Sequence, residues 1–266
     1  MKTQTQMSEK GLEIMTRHSK RHAMQIVGRY TAPSSIKAFT GRASDQANEG
    51  KGLDEIACIG IAVLDLETTG LLDAPEIGIV EIGVAQCRCP MGHMMPALVA
   101  EYSGRVNPGI PIPEGASKVH GIQDQDVAGC PSYAGVAEWV TELLKHHIVC
   151  GFNIAQYDME VLRRQVQRYS LGADAEQAID SAMILDLREV WVDLQQTKRG
   201  NLARVAEHYG VPAGVAHSAI GDVQTSMNIL AAMIEAHGED SIMRYVRRLN
   251  RDDTPSELDA RQMRPA

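Results

Sequence analysis

Aromatic residues are scarce in this 266-residue chain: two Phe, two Trp and seven Tyr make up 4% of it. Its core must therefore rest on Ile, Leu, Val, Ala and the 13 Met. Cysteine is sparse too. Five thiols, an odd number in a chain this long, exclude the disulfide framework of small secreted proteins. No stretch approaches the roughly 18 uninterrupted apolar residues of a membrane-spanning helix. The polar start, MKTQTQMSEK, has no signal-peptide core. The chain thus reads as soluble, intracellular and cytoplasmic, with no membrane partner. What is present, 44% apolar and 23% charged residues, is a globular composition. The length suits one domain with appendages.

Net charge is −8 and unevenly spread. Residues 1–50 carry 8 basic and 4 acidic side chains, residues 51–237 carry 12 and 24, and residues 238–266 carry six of each. An acidic middle is poor at holding polyanions by bulk attraction, since affinity for phosphate backbones comes from Lys and Arg displacing counterions. Either that region does not touch nucleic acid, or its carboxylates have another task, such as holding divalent cations. The three stretches are expected to be a basic extension with an amphipathic helix over Leu12–Tyr30 and a linker (1–50), the main domain (51–237), and a C-terminal helix with a frayed tail (238–266).

Within the main domain, ACIGIAVLDL, GIVEIGVAQCR, ALVAEYSGRV and HIVCGF read as strands, with a further strand near Ala178. Helices are expected inside Pro131–His147, over Ala155–Tyr169 and Met183–Val192, over Leu202–Tyr209 where Gly210 stops it, and over Ala219–Ala236. Strands first, then mixed elements, predict an α/β sheet with helices on both faces. Cys87-x-Cys89 with His93 resembles a fragment of a zinc site, but it lacks a fourth ligand at plausible spacing and reads as free thiols.

The sharpest local feature is Asp65-Leu66-Glu67-Thr68-Thr69-Gly70, at the end of the first strand. Residues i and i+2 of a strand share a face, so Asp65 and Glu67 project together while Leu64 and Leu66 face the other way. Paired carboxylates repel each other and resist desolvation, so they need a cation or a shared proton. Hard oxygen ligands suit Mg²⁺ or Mn²⁺. Asp158 begins the helix after HIVCGF, and Asp222 lies near the start of a late helix, five residues after His217. Separately, both could be first-turn acids favoured by the helix dipole. Together these residues supply four carboxylates and an imidazole base, the parts for metal-assisted phosphodiester hydrolysis.

In four motifs the sequence resembles the DEDDh (DnaQ-like) 3′–5′ exonucleases, the family that contains the proofreading epsilon subunit of bacterial replicative polymerase. They are VLDLETTGL, NPGIPIPEGASKVHGI, GFNIAQYDMEVL and HSAIGDVQTS, in that order between about Ile59 and Leu230. Phe152 stands where relatives often have His, Tyr157 where many have Phe, and Ser218 where Arg is frequent.

The resemblance implies a ribonuclease H-like fold: a mixed five-stranded sheet flanked by helices on both faces. It implies two divalent cations, Mg²⁺ or Mn²⁺, held by Asp65, Glu67, Asp158 and Asp222, with His217 as the general base. It also implies a terminal nucleotide met by Thr68 and bordered by His120, Asn153 and Tyr157. Asp180, Asp186, Glu81 and Glu114 read as structural or solvated. The partner is a nucleic acid with a free 3′ end, DNA in preference to RNA, trimmed to nucleoside 5′-monophosphates in proofreading or repair. An exoribonuclease is the alternative within the same chemistry. A polymerase subunit or scaffold acting mainly by binding is the alternative of another class.

Overall fold

The pleat of one strand sets the architecture. In the computed structural model, which describes residues 58–90 and 96–249, strand β1 spans Cys58–Thr68. Ala62, Leu64 and Leu66 join the apolar cluster on one side of the sheet, and Ile61 and Val63 join the cluster on the other. A strand buried on both faces is expected to be this continuously apolar. The extension over residues 1–50 and the segment beyond residue 249 lie outside the described residues.

Strands β2 (Ile79–Pro90) and β3 (Ala97–Arg105) continue antiparallel from β1. On the other side of β1, β4 (Ile148–Gly151) and β5 (Met183–Asp186) run parallel to it. Arg247–Arg248 forms β6, antiparallel to β5, giving the order β3-β2-β1-β4-β5-β6. The sheet is therefore the expected mixed sheet plus one two-residue edge strand. That strand comes from the stretch expected to hold a C-terminal helix and a frayed tail. Glu239–Met243 is helical, Ile242 and Leu249 are buried, and Leu249 N donates to the Ala182 carbonyl at 2.9 Å.

Helices α1 (Glu114–His120) and α2 (Asp124–Val127) follow β3. Helices α3 (Ala137–His146), α4 (Asp158–Arg168) and α5 (Ala173–Asp180) supply the first cluster with Trp139, Val140, Leu162 and Ile179. Helices α6 (Leu187–Leu194), α7 (Leu202–Tyr209) and α8 (Ala219–His237) supply the second with Trp191, Val205 and Ile229. No helix among the described residues is long and apolar enough to cross a membrane.

Two expectations are corrected. The segment around Ala178 is helix α5, with Ala175, Ala178 and Ile179 on its buried side, a helical and not a strand spacing. The strand lies instead at Met183–Asp186, inside the stretch expected to be wholly helical. Four apolar-rich residues are too few for periodicity to separate a buried strand from a helix turn.

Candidate active site

Helix α8 lies across β1 and β2 on the face that carries Ile61 and Val63. By the pleat, Asp65 and Glu67 point to that same face, toward the first turn of α8. Asp65, Glu67 and Asp222 each offer a carboxylate oxygen, and these oxygens lie within 4.8 Å of one another. Glu67 is buried, while Asp65 and Asp222 stay partly open to solvent.

Asp158 reaches the group from the opposite helical layer. β4 pairs with β1 only over Ile61–Val63, which leaves the carboxyl half of β1 uncovered on that edge. There Asp158 Oδ1 accepts the Leu66 N–H at 3.1 Å, and its side chain is only 3% exposed. It stands behind Asp65, outside the three-carboxylate group.

Electrostatics show four acids crowded without compensation. Burial holds the Asp65 carboxyl well above its usual range, and Asp158, Asp222, Glu67 and Glu81 push it further. Glu67 is raised to about 7 by burial, then by Asp222 and Glu81. Burial also raises Asp222 and Asp158; for Asp158, donation by its own and the Leu66 backbone N–H opposes the shift. A divalent cation is the natural counterion for such a set, and three clustered hard oxygens suit Mg²⁺ or Mn²⁺.

Glu81 is the neighbour that sequence reasoning left aside. It sits opposite Glu67 in the β1–β2 register, and its Oε2 accepts the Ala219 N–H at 2.9 Å. The Ser218 side chain does not cap α8, so a carboxylate from β2 satisfies that end instead. The preceding loop is fixed as tightly. Gly214 N donates to Thr225 Oγ1 at 2.9 Å, and a Cβ on Gly221 would lie 2.1 Å from the Val215 carbonyl oxygen. The loop delivers His217 with φ of 59°, its N–H donating to Asp222 Oδ2 at 3.3 Å and its side chain exposed.

Asn153 is the other candidate site residue with a left-handed backbone, at φ 64°. Non-glycine residues adopt this region at a cost and persist there only when their surroundings hold them. Here the holder is Asp186, 2% exposed, whose two oxygens accept the N–H groups of Asn153 and Ala155 at 3.0 Å each. The same carboxylate caps α6 through Arg188 N and Glu189 N. Asp186 is structural, as expected, yet it shapes the site. Arg188, which carried no signal in the sequence, donates from Nη1 to Asn153 Oδ1 at 3.4 Å. That bond leaves the Asn153 amide NH₂ as the group not engaged by Arg188.

Thr68 and Tyr157 hold the turn that follows β1. Thr68 Oγ1 and the Tyr157 hydroxyl lie 2.5 Å apart, one donating to the other, and the Gly70 carbonyl lies 2.8 and 2.7 Å from them and accepts from the remaining O–H. The hydroxyl that distinguishes Tyr157 from the common Phe is thus a turn clamp. His120 Nδ1 accepts the Ile122 N–H at 3.1 Å, which assigns the proton to Nε2. That nitrogen is buried without a hydrogen-bond partner among the described residues; the Thr68 backbone is its polar neighbour. Burial lowers the basicity of His120. Away from this region Cys87 is buried, its thiol 3.8 Å from Met227 Sδ, and His93 lies outside the described residues.

The family model described as Exonuclease matches residues 62–230, a span holding every residue of the cluster. The chain is 27% identical over 198 residues to a DNA polymerase III subunit epsilon-like protein of Rhodobacter capsulatus, covering 74% of this chain and 26% of that one. It therefore spans about a quarter of that relative's length. It is 29% identical over 178 residues to an uncharacterized exonuclease, CP81, of Escherichia phage 186, covering 64% of this chain and 86% of the relative. Among solved structures it is similar to E. coli exonuclease I in complex with a dA16 oligonucleotide, with a TM-score of 0.55 and 18% identity over 66% of this chain and 41% of that chain. That likeness shows the fold, which is ribonuclease H-like.

Proposed function

Because the chain belongs to the exonuclease family whose model spans residues 62–230, we propose that it is a metal-dependent 3′–5′ exonuclease that trims DNA to nucleoside 5′-monophosphates. The observation that carries this reading is the convergence of Asp65, Glu67 and Asp222 within 4.8 Å, with Asp158 behind them and His217 bonded to Asp222 through its backbone.

Asp65, Glu67 and Asp222 would hold divalent cations, with Asp158 supporting Asp65. When bound, such cations stabilise charge on the attacking and leaving oxygens of an in-line displacement. The chain's own groups do the rest. An imidazole nitrogen of His217, exposed beside the cluster, accepts a proton from the attacking water. As the new P–O bond forms, the bond from phosphorus to the 3′ oxygen breaks. That oxygen leaves with the bonding electrons, takes a proton from solvent water and becomes the new 3′-hydroxyl. The clamped Thr68–Gly70 turn, the His120 Nε2–H and the Asn153 amide border the place of the terminal nucleotide. The epsilon-like name of a relative supports a polymerase as a further partner.

The test uses the purified full chain with Mn²⁺ and single-stranded DNA or RNA of equal length, labelled at either end. Mononucleotides should appear first from the 3′ end, faster from DNA, and not at all with Asp65→Ala. Removal of a general base of this kind lowers the rate by about 10²–10⁴, so His217→Ala at full rate would reject the base assignment.

A further inference from the structure

The acidic domain has few cations, and almost all are already engaged. Arg105, Lys118, Lys145, Arg163, Arg164 and Arg247 face carboxylates. Arg168 donates to the Pro108 and Gly109 carbonyls, and Arg188 to Asn153. Lys198, Arg199 and Arg204 are different. All three are exposed, lie within one seven-residue stretch, and have no side-chain partner among the described residues.

Their backbone is fixed. The Arg199 carbonyl accepts Trp191 Nε1 at 3.2 Å, Arg199 N donates to Thr197 Oγ1 at 3.3 Å, and Asn201 Oδ1 accepts Arg204 N at 2.9 Å. Trp191 is 4% exposed and one turn along α6 from Arg188, whose guanidinium meets Asn153. The α6–α7 connection is thus joined to the site wall by one helix turn. Unpaired cations on a fixed backbone repel one another in the free protein and gain a partner when a polyanion arrives, with little ordering cost.

We propose that Lys198, Arg199 and Arg204 form a phosphate-binding strip for single-stranded nucleic acid, carrying the backbone upstream of the 3′ end out of the site. This rests on the exonuclease reading and adds where the strand runs. It gives an acidic domain a local hold on a polyanion that its mean charge denies.

The test is binding of the full chain to a fluorescent single-stranded DNA by anisotropy across a salt series in EDTA, so that no hydrolysis intervenes. Each phosphate contact on a single strand contributes about 0.7 to the slope of log K against log salt. Replacing all three cations by Ala should lower that slope by about 2. Arg248→Ala is the control: this cation is equally unpaired among the described residues but sits opposite Met183, at the other end of β5 from Asp186. Its slope should match wild type. If the triple variant melts early, Arg199→Ala and Arg204→Ala singly should each lower the slope by about 0.7. A triple-variant slope equal to wild type overturns the strip, including the case in which these cations serve an acidic protein partner. Absence of nucleotide release by wild type with Mn²⁺, with the slope effect intact, overturns the hydrolytic reading and leaves the strip standing.

Discussion

A single methyl group on β2 should separate the geometry of the cluster from the stability of the fold. A Cβ added at Gly83 would lie 2.5 Å from the Ala219 carbonyl carbon, 2.6 Å from its oxygen and 2.7 Å from Ile220 N. Carbon atoms in contact prefer about 3.5–4.0 Å, so Gly83→Ala must drive the start of α8 off the sheet by about 1 Å. All three atoms are backbone, and no rotamer change can absorb the overlap. The same turn carries Asp222 and is tied to Glu81 through Ala219 N. Overpacking of this kind destabilises by about 1–3 kcal/mol, while a 1 Å misplacement of reacting groups costs about 100-fold in rate. Melting curves and initial rates of 5′-nucleotide release with Mn²⁺ measure the two effects separately. Gly115→Ala is the control: nothing lies within 4 Å of a Cβ in that α1 position. It should gain up to about 1 kcal/mol at an unchanged rate. A Gly83→Ala protein that melts earlier yet turns over at the wild-type rate would show that the α8 approach does not set the chemistry.

Two further outcomes follow from the same geometry. In EDTA, Glu67 binds a proton in the folded state up to about pH 7, whereas in the unfolded chain it loses it near 4.5. Its folded pKa is raised, so the folded state binds more protons across that window and stability falls as pH rises from about 4.5 through about 7. Glu67→Gln should flatten this fall in melts across pH, and an unchanged slope would show that another group causes it. Arg188→Ala frees the Asn153 amide to rotate and should raise KM more than it lowers kcat. In an Asn153→Gly background, where glycine keeps the left-handed backbone, Arg188→Ala should add nothing; additive effects in this cycle would show that Arg188 acts elsewhere.

Much of the sheet was legible because pleat and burial write the same pattern. The run from Ile61 to Leu64 is apolar on both faces, and Asp65 and Glu67 break it at the strand's end, where β4 no longer covers β1. Helix α7 was legible residue for residue, since Asn201 caps it and Gly210 ends it in a left-handed turn. The β5 region failed for a local reason. A bend of two residues separates helix Ala173–Asp180 from strand Met183–Asp186, and the four residues of the strand are too few to show a period. The edge strand at Arg247–Arg248 carries no strand signal, because its two arginines pair through backbone and not through apolar side chains.

For the site, the boundary between legible and hidden follows which atoms do the work. Asp65 and Glu67 share a face by strand alternation, which their spacing shows; that Asp222 joins them was implied by the resemblance to the exonuclease family and not by any spacing. Asp158 was placed at the correct helix start, but its inward turn depends on one bond to the Leu66 N–H, and no spacing encodes it. Glu81 and Asp186 are hidden more deeply. Each uses its carboxylate on the backbone of a distant segment, across 138 residues for Ala219 and about 30 for Asn153 and Ala155. A sequence reports which side chains exist; it does not report whose N–H groups they will satisfy. The same holds for function. A carboxylate cluster carried by a strand motif announces itself, whereas the acids that position it look like ordinary surface charge until the chain is folded around them.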